Sequence, residues 1–312
     1  MQFIAGRTHF KLGAESAVAI GKFDGIHRGH KRLLQEILQC REQGMLAVVF
    51  TFDPPVSSFF AGKQVKELTT REEKRRRFAA MGVDALVEFP LNQETAAMEP
   101  ERFVREVLAK SMNMRFIAAG SDLSFGAGGA GNAELLKKLS GRFGYRVRVI
   151  EKICENGREI SSTYLREEVE KGRMENAELL LGEPYRITGE IVHGRRLGRT
   201  LGMPTINQIP EQQKLLPPNG VYYSRVRLGG KLLNGITNIG YKPTVSNERV
   251  LGVETYLYDF SQDIYGREAE VSLLHYKRPE MRFADVEQLK VQMQKDIAEG
   301  HRYFLEKERK NG

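Results

Sequence analysis

Ten residues near the start of the chain, Gly21, Lys22, Phe23, Asp24, Gly25, Ile26, His27, Arg28, Gly29 and His30, set two imidazoles three positions apart just ahead of an amphipathic run. Two of the six histidines fall in this one loop, which favours a shared task over chance. Backbone N–H groups and the dipole at a helix N-terminus attract phosphate, and imidazoles on the same turn add donors. Gly29 lets the backbone come close to such a ligand. A metal pair is the competing reading, but only Asp24 stands nearby as a third ligand. Further on, Ile160, Ser161, Ser162, Thr163, Tyr164, Leu165 and Arg166 open another helix. Ser and Thr there are common N-caps, and Arg166 one turn in adds the charge that turns a cap into an anion site.

A second set of residues lies in the other half. Gly194, Arg195, Gly198, Thr200 and Gly202 share one loop, where glycines expose N–H groups and arginine supplies charge to wrap a triphosphate. Pro204 fixes the backbone ahead of Thr205 and Asn207, whose oxygens at i and i+2 point the same way along an extended segment and suit Mg²⁺. Taken alone, this Pro-Thr-Ile-Asn run reads as an ordinary turn. It is followed by Asn219 to Tyr222, Asn238 to Thr244, Val253 to Tyr256 with Glu254 among them, and Arg278 to Phe283.

The elements that must hold these residues change character midway. Residues 17–20, 45–52, 83–89, 115–119 and 145–153 read as strands, alternating with helical patterns at 31–43, 70–80, 101–112 and 132–139. Such alternation implies an α/β fold, a parallel sheet wrapped by helices that binds ligands at the carboxyl ends of its strands. From Tyr185 onward, short strand candidates at 185–193, 220–228, 232–239, 251–258 and 269–276 are separated by Gly, Pro and Asn turns, the pattern of a small antiparallel β-barrel. A helix at 284–304 closes the chain, with Val286, Leu289, Met293 and Ile297 on one side. The boundary is expected at 182–184, giving domains 1–183 and 184–312.

Composition narrows the classes. With 312 residues, 41% hydrophobic and 28% charged, the chain reads as two globular domains, and disorder, collagen and coiled coil are excluded. No apolar run approaches a membrane span and the first ten residues lack a signal-peptide core, so a cytoplasmic protein with no membrane partner is expected. Cys40 and Cys154 are expected as reduced structural thiols. The net charge of +8 suits polyanions, either nucleic acid or phosphorylated small molecules. The densest basic run, Lys74 to Arg77, reads as the solvated face of a helix, and with no nucleic-acid-binding signature present no specific nucleic-acid partner is expected. Gly126, Gly128 and Gly131 satisfy the spacing of a dinucleotide-binding fingerprint, but several βα units precede them, so they read as a flexible loop over the first site. Composition is silent on oligomeric state.

The pattern GxFDGxHxGH with the later ISSTxxR resembles the nucleotidyltransferase superfamily. Together with the segments of the second half, the chain is similar to bifunctional bacterial riboflavin kinase/FAD synthetases over nearly its whole length. That resemblance implies a Rossmann-like nucleotidyltransferase domain followed by a riboflavin kinase barrel, with riboflavin, FMN, FAD and ATP as substrates and products and Mg²⁺ as cofactor. It implies that His27 and His30 hold ATP phosphates, with Gly21, Phe23, Asp24, Gly25 and Gly29 around them and Ser162, Thr163 and Arg166 in the nucleotide site. Asp122, in Gly120 to Gly126, is placed near flavin or nucleotide. In the second half it implies Glu254 as the base, Thr205 and Asn207 as Mg²⁺ ligands, the 194–202 loop over the phosphates, and Asn238, Arg278 and Phe283 towards the flavin. One position departs: where the family carries a histidine after its second strand, this chain has Pro55, which lacks an imidazole donor and implies an altered adenylyl transfer.

Overall fold

The computed structural model describes residues 1–194, 202–243 and 249–311. These fall into two compact units, Met1–Tyr164 and Leu165–Gly312.

In the first unit, β1 (Gln2–Ala5), β2 (Ser16–Ile20), β3 (Leu46–Asp53), β4 (Ala85–Pro90), β5 (Met114–Gly120) and β6 (Arg146–Ile150) make one sheet in the order β1-β4-β3-β2-β5-β6. Every neighbouring pair is parallel. Between the strands run α1 (Arg28–Gln39), α2 (Val56–Ala61), α3 (Arg71–Ala80), α4 (Gln93–Ala96), α5 (Pro100–Phe103), which continues as a π-helix from Val104 to Ser111, and α6 (Ala133–Phe143). Alternate strand residues supply two cores. Ala17, Ala19, Ala47 and Val49 pack with Leu34 and Ile37 of α1 and Phe78 of α3, whereas Val18, Ile20, Val48 and Phe50 pack with Phe103, Leu108 and Leu136. Burial on both faces explains why these strands are continuous apolar runs, and each buried Leu or Ile stabilises the unit by about 1.5–3 kcal/mol. β1, which the sequence reading left unassigned, adds to the edge of the sheet beside β4.

The strand order positions the first site. The chain steps outward from β2 through β3 to β4, then returns to place β5 on the other side of β2. The carboxyl ends of β2 and β5 therefore flank a topological switch point, where a crevice opens in sheets of this kind. A hairpin, β7 (Cys154–Glu155) and β8 (Arg158–Glu159), follows β6, and α7 (Ser162–Glu170) runs across the division between the units.

The second unit contains α8 (Met174–Leu181), β9 (Tyr185–Glu190), β10 (Thr205–Gln208), β11 (Gly220–Leu228), β12 (Lys231–Pro243), β13 (Arg249–Leu257), β14 (Glu268–Arg278) and α9 (Val286–Asn311). The six strands form an antiparallel sheet in the order β10-β13-β12-β11-β14-β9. A bridge from Val192 to Asn207 ties the two ends of this half-barrel together. Val221, Tyr223, Ile236 and Leu274 on its outer face pack against Ile297 and Phe304 of α9.

Two expectations change. Lys74 is not on a solvated face: it is buried, with its ammonium 2.6 Å from Glu67, while Arg75 pairs with Glu72 and with buried Glu88. Two of the three glycines at fingerprint spacing answer to close packing, since a Cβ on Gly131 would lie 2.5 Å from the Phe125 ring and one on Gly126 2.8 Å from Pro100, whereas one on Gly128 would meet nothing within 4 Å. Both cysteines are free, Cys40 buried and Cys154 exposed.

Candidate active sites

At the switch point, a cavity of about 350 Å³ is walled by Ile20 and Gly21 at the end of β2, Phe52 and Val56 around the end of β3, Gly120, Leu123 and Ser124 at the end of β5, Ile150 to Ile153 at the end of β6, and Ile160 to Thr163 entering α7. His27, Gly29, His30 and Asp122 line it as well, so residues 140 positions apart in the sequence share one surface. His27 is the N-cap of α1, and its Nδ1 accepts the His30 N–H at 3.4 Å. With Nδ1 occupied as an acceptor, the proton of the neutral ring sits on Nε2, which makes His27 a donor from that atom. The two imidazoles stack with centroids 3.7 Å apart. Burial holds the His27 pKa down at about 4, against a smaller upward pull from Asp122. Burial, then the His27 ring and Lys74, holds His30 well below its ordinary value. Both rings are therefore neutral at pH 7. The His30 Nδ1 is buried with no hydrogen-bond partner among the described residues, an arrangement that a ligand oxygen would satisfy. A Cβ on Gly29 would lie 3.2 Å from the His27 ring, so a larger residue there would press on it.

Other members of the motif support the loop rather than line it. Phe23 is fully buried between Phe78 and His30, and Gly25 has φ +89°. Asp24 accepts the backbone N–H of Leu68 at 2.8 Å, and its carbonyl accepts the Ser162 hydroxyl at 2.7 Å, joining the two first-half motifs. Arg166 stands one turn along α7, within the second unit. Lys152, absent from the sequence reading, lies 3.4 Å from Asp122 and 2.7 Å from Glu159 on the cavity wall. Pro55 is the N-cap of α2, between the wall residues Phe52 and Val56.

In the second unit, a cavity of about 270 Å³ lies between the sheet and α9 and is lined by Thr205, Asn238, Glu254, Arg278 and Phe283. All five come from the segments that the sequence singled out. Register explains the convergence, because Glu254 of β13 pairs with Asn207 of β10 on one side and Asn238 of β12 on the other. Thr205 donates its hydroxyl to Glu254 Oε1 at 2.6 Å. Arg278 is anchored by buried Asp296 of α9 through Nη2 at 2.6 Å and Nε at 3.1 Å. Asp296 is the residue that sequence reasoning missed, and its signal was a carboxylate directly before Ile297 of the apolar stripe. A smaller cavity of about 220 Å³ opens beside Gly194, Pro204, Thr205 and Asn207, and reaches Phe260 to Tyr265. Thr205 borders both cavities. Gly202 is described, with φ +77°, whereas Arg195, Gly198 and Thr200 lie outside the described residues.

Residues 10–164 match the family model for FAD synthetase and residues 181–304 that for riboflavin kinase. The bifunctional riboflavin kinase/FMN adenylyltransferase of Escherichia coli (strain K12) is 38% identical over 290 residues, 92% of each chain. The chain belongs to this bifunctional family. The protein of the same description from Listeria monocytogenes is 36% identical over 93% of each chain. Among solved structures, one described as a macrolide-efflux protein from Streptococcus pneumoniae aligns with a TM-score of 0.82 at 28% identity, over 95% of this chain and 97% of that one. In the chain described here, no helix among the described residues is long and apolar enough to cross a membrane. The two family matches coincide with the two halves whose cavities are built from the motif residues, so membership and geometry divide the chain alike.

Proposed function

We propose that the chain phosphorylates riboflavin to FMN and adenylylates FMN to FAD with release of pyrophosphate, the adenylyltransferase in residues 1–183 and the kinase in 184–312. The observation that carries the reading is the convergence of separate sequence segments on one cavity in each half. In the kinase, Glu254 takes the proton of the ribityl 5′-hydroxyl as that oxygen attacks the γ-phosphorus of ATP and the bond to the β-phosphate oxygen breaks. The Thr205 hydroxyl, 2.6 Å away, holds the carboxylate in place. Asn238, Arg278 and Phe283 face the flavin, and the 194–202 loop covers the phosphates. Thr205 and Asn207 present an all-oxygen donor set that fits Mg²⁺, and Asn207 is packed so closely on Gly194 that a Cβ there would meet its amide at 2.4 Å. Bound there, Mg²⁺ supplies neutralisation of phosphate charge.

In the adenylyltransferase, a phosphate oxygen of FMN attacks the α-phosphorus of ATP and pyrophosphate leaves. His27 and His30 offer ring N–H donors to charge on the transferred and departing phosphates, with no proton transfer required of them. Ser162, Thr163 and the backbone of Gly21 and Gly29 complete the phosphate surroundings, and Asp122 lines the same cavity. A narrower activity, riboflavin phosphorylation alone, is the reading that Pro55 favours, because a proline ring has no donor. One assay separates the readings: purified protein with riboflavin, ATP and Mg²⁺, resolved by chromatography. FMN followed by FAD is expected. FMN alone would establish the narrower activity, and neither product would overturn both.

A further inference from the structure

We infer that Asp24 is a positioning residue of the adenylylating site, which fixes the turn before His27 and couples it to the start of α7 instead of meeting phosphate itself. The inference rests on the reading of that site given above. Its first support is backbone strain. Phe23 has φ +50° and Ile26 φ +44°, and a β-branched residue in the left-handed region is an outlier that persists only where surrounding contacts over-determine it. Both side chains are buried, Phe23 against Phe78 and His30, so relaxing this turn would displace His30.

The second support is where the Asp24 oxygens point. Oδ1 accepts the N–H of Leu68 at 2.8 Å and of Thr69 at 3.3 Å. The next residue, Thr70, caps α3 through a reciprocal capping box with Glu73, so the partners of Asp24 belong to a fixed helix start. The Asp24 carbonyl accepts the Ser162 hydroxyl at 2.7 Å, and Ser162 lines the cavity. One residue thus links α3, the strained turn and the N-terminus of α7. A carboxylate in direct contact with a triphosphate would instead repel it.

The test uses the full-length protein and measures kcat and KM(ATP) for FMN adenylylation, with riboflavin phosphorylation by the same preparations as the control for intact protein. Asp24→Ala should lower kcat/KM for adenylylation at least tenfold. Asp24→Asn, whose amide oxygen still accepts both N–H groups, should recover at least half of that loss on a logarithmic scale. Ser162→Ala should cost several-fold alone and less than twofold when added to Asp24→Ala, as coupled residues do. An Asn variant as impaired as the Ala variant would assign Asp24 a charge role and overturn the inference, as would wild-type kinetics in Asp24→Ala. If Asp24→Ala is insoluble, Asp24→Asn decides by itself, a loss beyond tenfold overturning the inference and a smaller one supporting it. Wild-type protein that makes FMN and no FAD would overturn the adenylylation reading and this inference together. The Asp24 variants in an FAD-producing background overturn the inference alone.

Discussion

His27 is at once a helix cap and a cavity donor, and the cap requires the neutral ring, because only an unprotonated Nδ1 can accept the His30 N–H. Its pKa is about 4 in the folded protein against 6.5 in the free side chain, so between those values the unfolded chain binds more protons than the folded one. Stability contributed by the neutral ring is therefore complete above pH 6.5 and is lost as pH falls towards 4. It amounts to on the order of 3 kcal/mol, with roughly 2 of it gone by pH 5. Urea unfolding of the wild type should weaken more between pH 7 and pH 5 than that of His27→Gln, and equal slopes would contradict the assignment. His30→Ala should depress FMN adenylylation while riboflavin phosphorylation continues, whereas equal loss of both activities would point to global unfolding. Glu254→Gln keeps side-chain size and removes basicity, so riboflavin phosphorylation should fall by roughly 10²- to 10⁴-fold. Externally supplied FMN should still become FAD at the wild-type rate. A kinase rate within a few-fold of wild type at saturating Mg²⁺ and ATP would remove Glu254 from its role.

Elements were legible in proportion to how local their signals are. The apolar runs of β2, β3 and β4 announce strands buried on both faces, and the Leu33, Leu34 and Ile37 stripe announces α1, because each pattern lies within a dozen residues. The segments that carry His27, Glu254 and Arg278 were found by residue type and order. Pairings between elements or with their flanking loops were not: Asp296 takes its meaning from Arg278, and Lys74 from Glu67 ahead of α3, only after the chain has folded. A basic run on a helix therefore reads as solvated when its partner stands in the loop ahead of the helix. The glycines at 126–131 show the same limit, since the sequence displays a spacing and not the ring against which Gly131 packs. In Gly131→Ala the new methyl group would meet Phe125, itself packed on Phe103 in the core, and such overpacking typically costs ~1–3 kcal/mol. A lowered urea midpoint for the first unit with unchanged riboflavin phosphorylation is the expected result, and an unchanged midpoint would return these glycines to a role in loop motion.

At the scale of the whole molecule, two sites with different chemistry share one metabolite. The product of the kinase half is the substrate of the adenylylating half, and the excess of positive charge suits a protein both of whose sites take triphosphates. Each unit has its own sheet, its own core and a cavity lined by its own residues. FMN that passes between them through solution must be exchangeable between protein molecules. His30→Ala, impaired in adenylylation, and Glu254→Gln, impaired in phosphorylation, provide the measurement. Each alone should convert riboflavin to FAD poorly, the first accumulating FMN and the second leaving riboflavin unchanged. Mixed, they should restore FAD formation after a lag in which free FMN rises, and the lag should shorten as Glu254→Gln is increased. If the mixture accumulates FMN and makes no FAD although Glu254→Gln adenylylates added FMN, the intermediate is retained by the chain that made it, and passage through solution is ruled out.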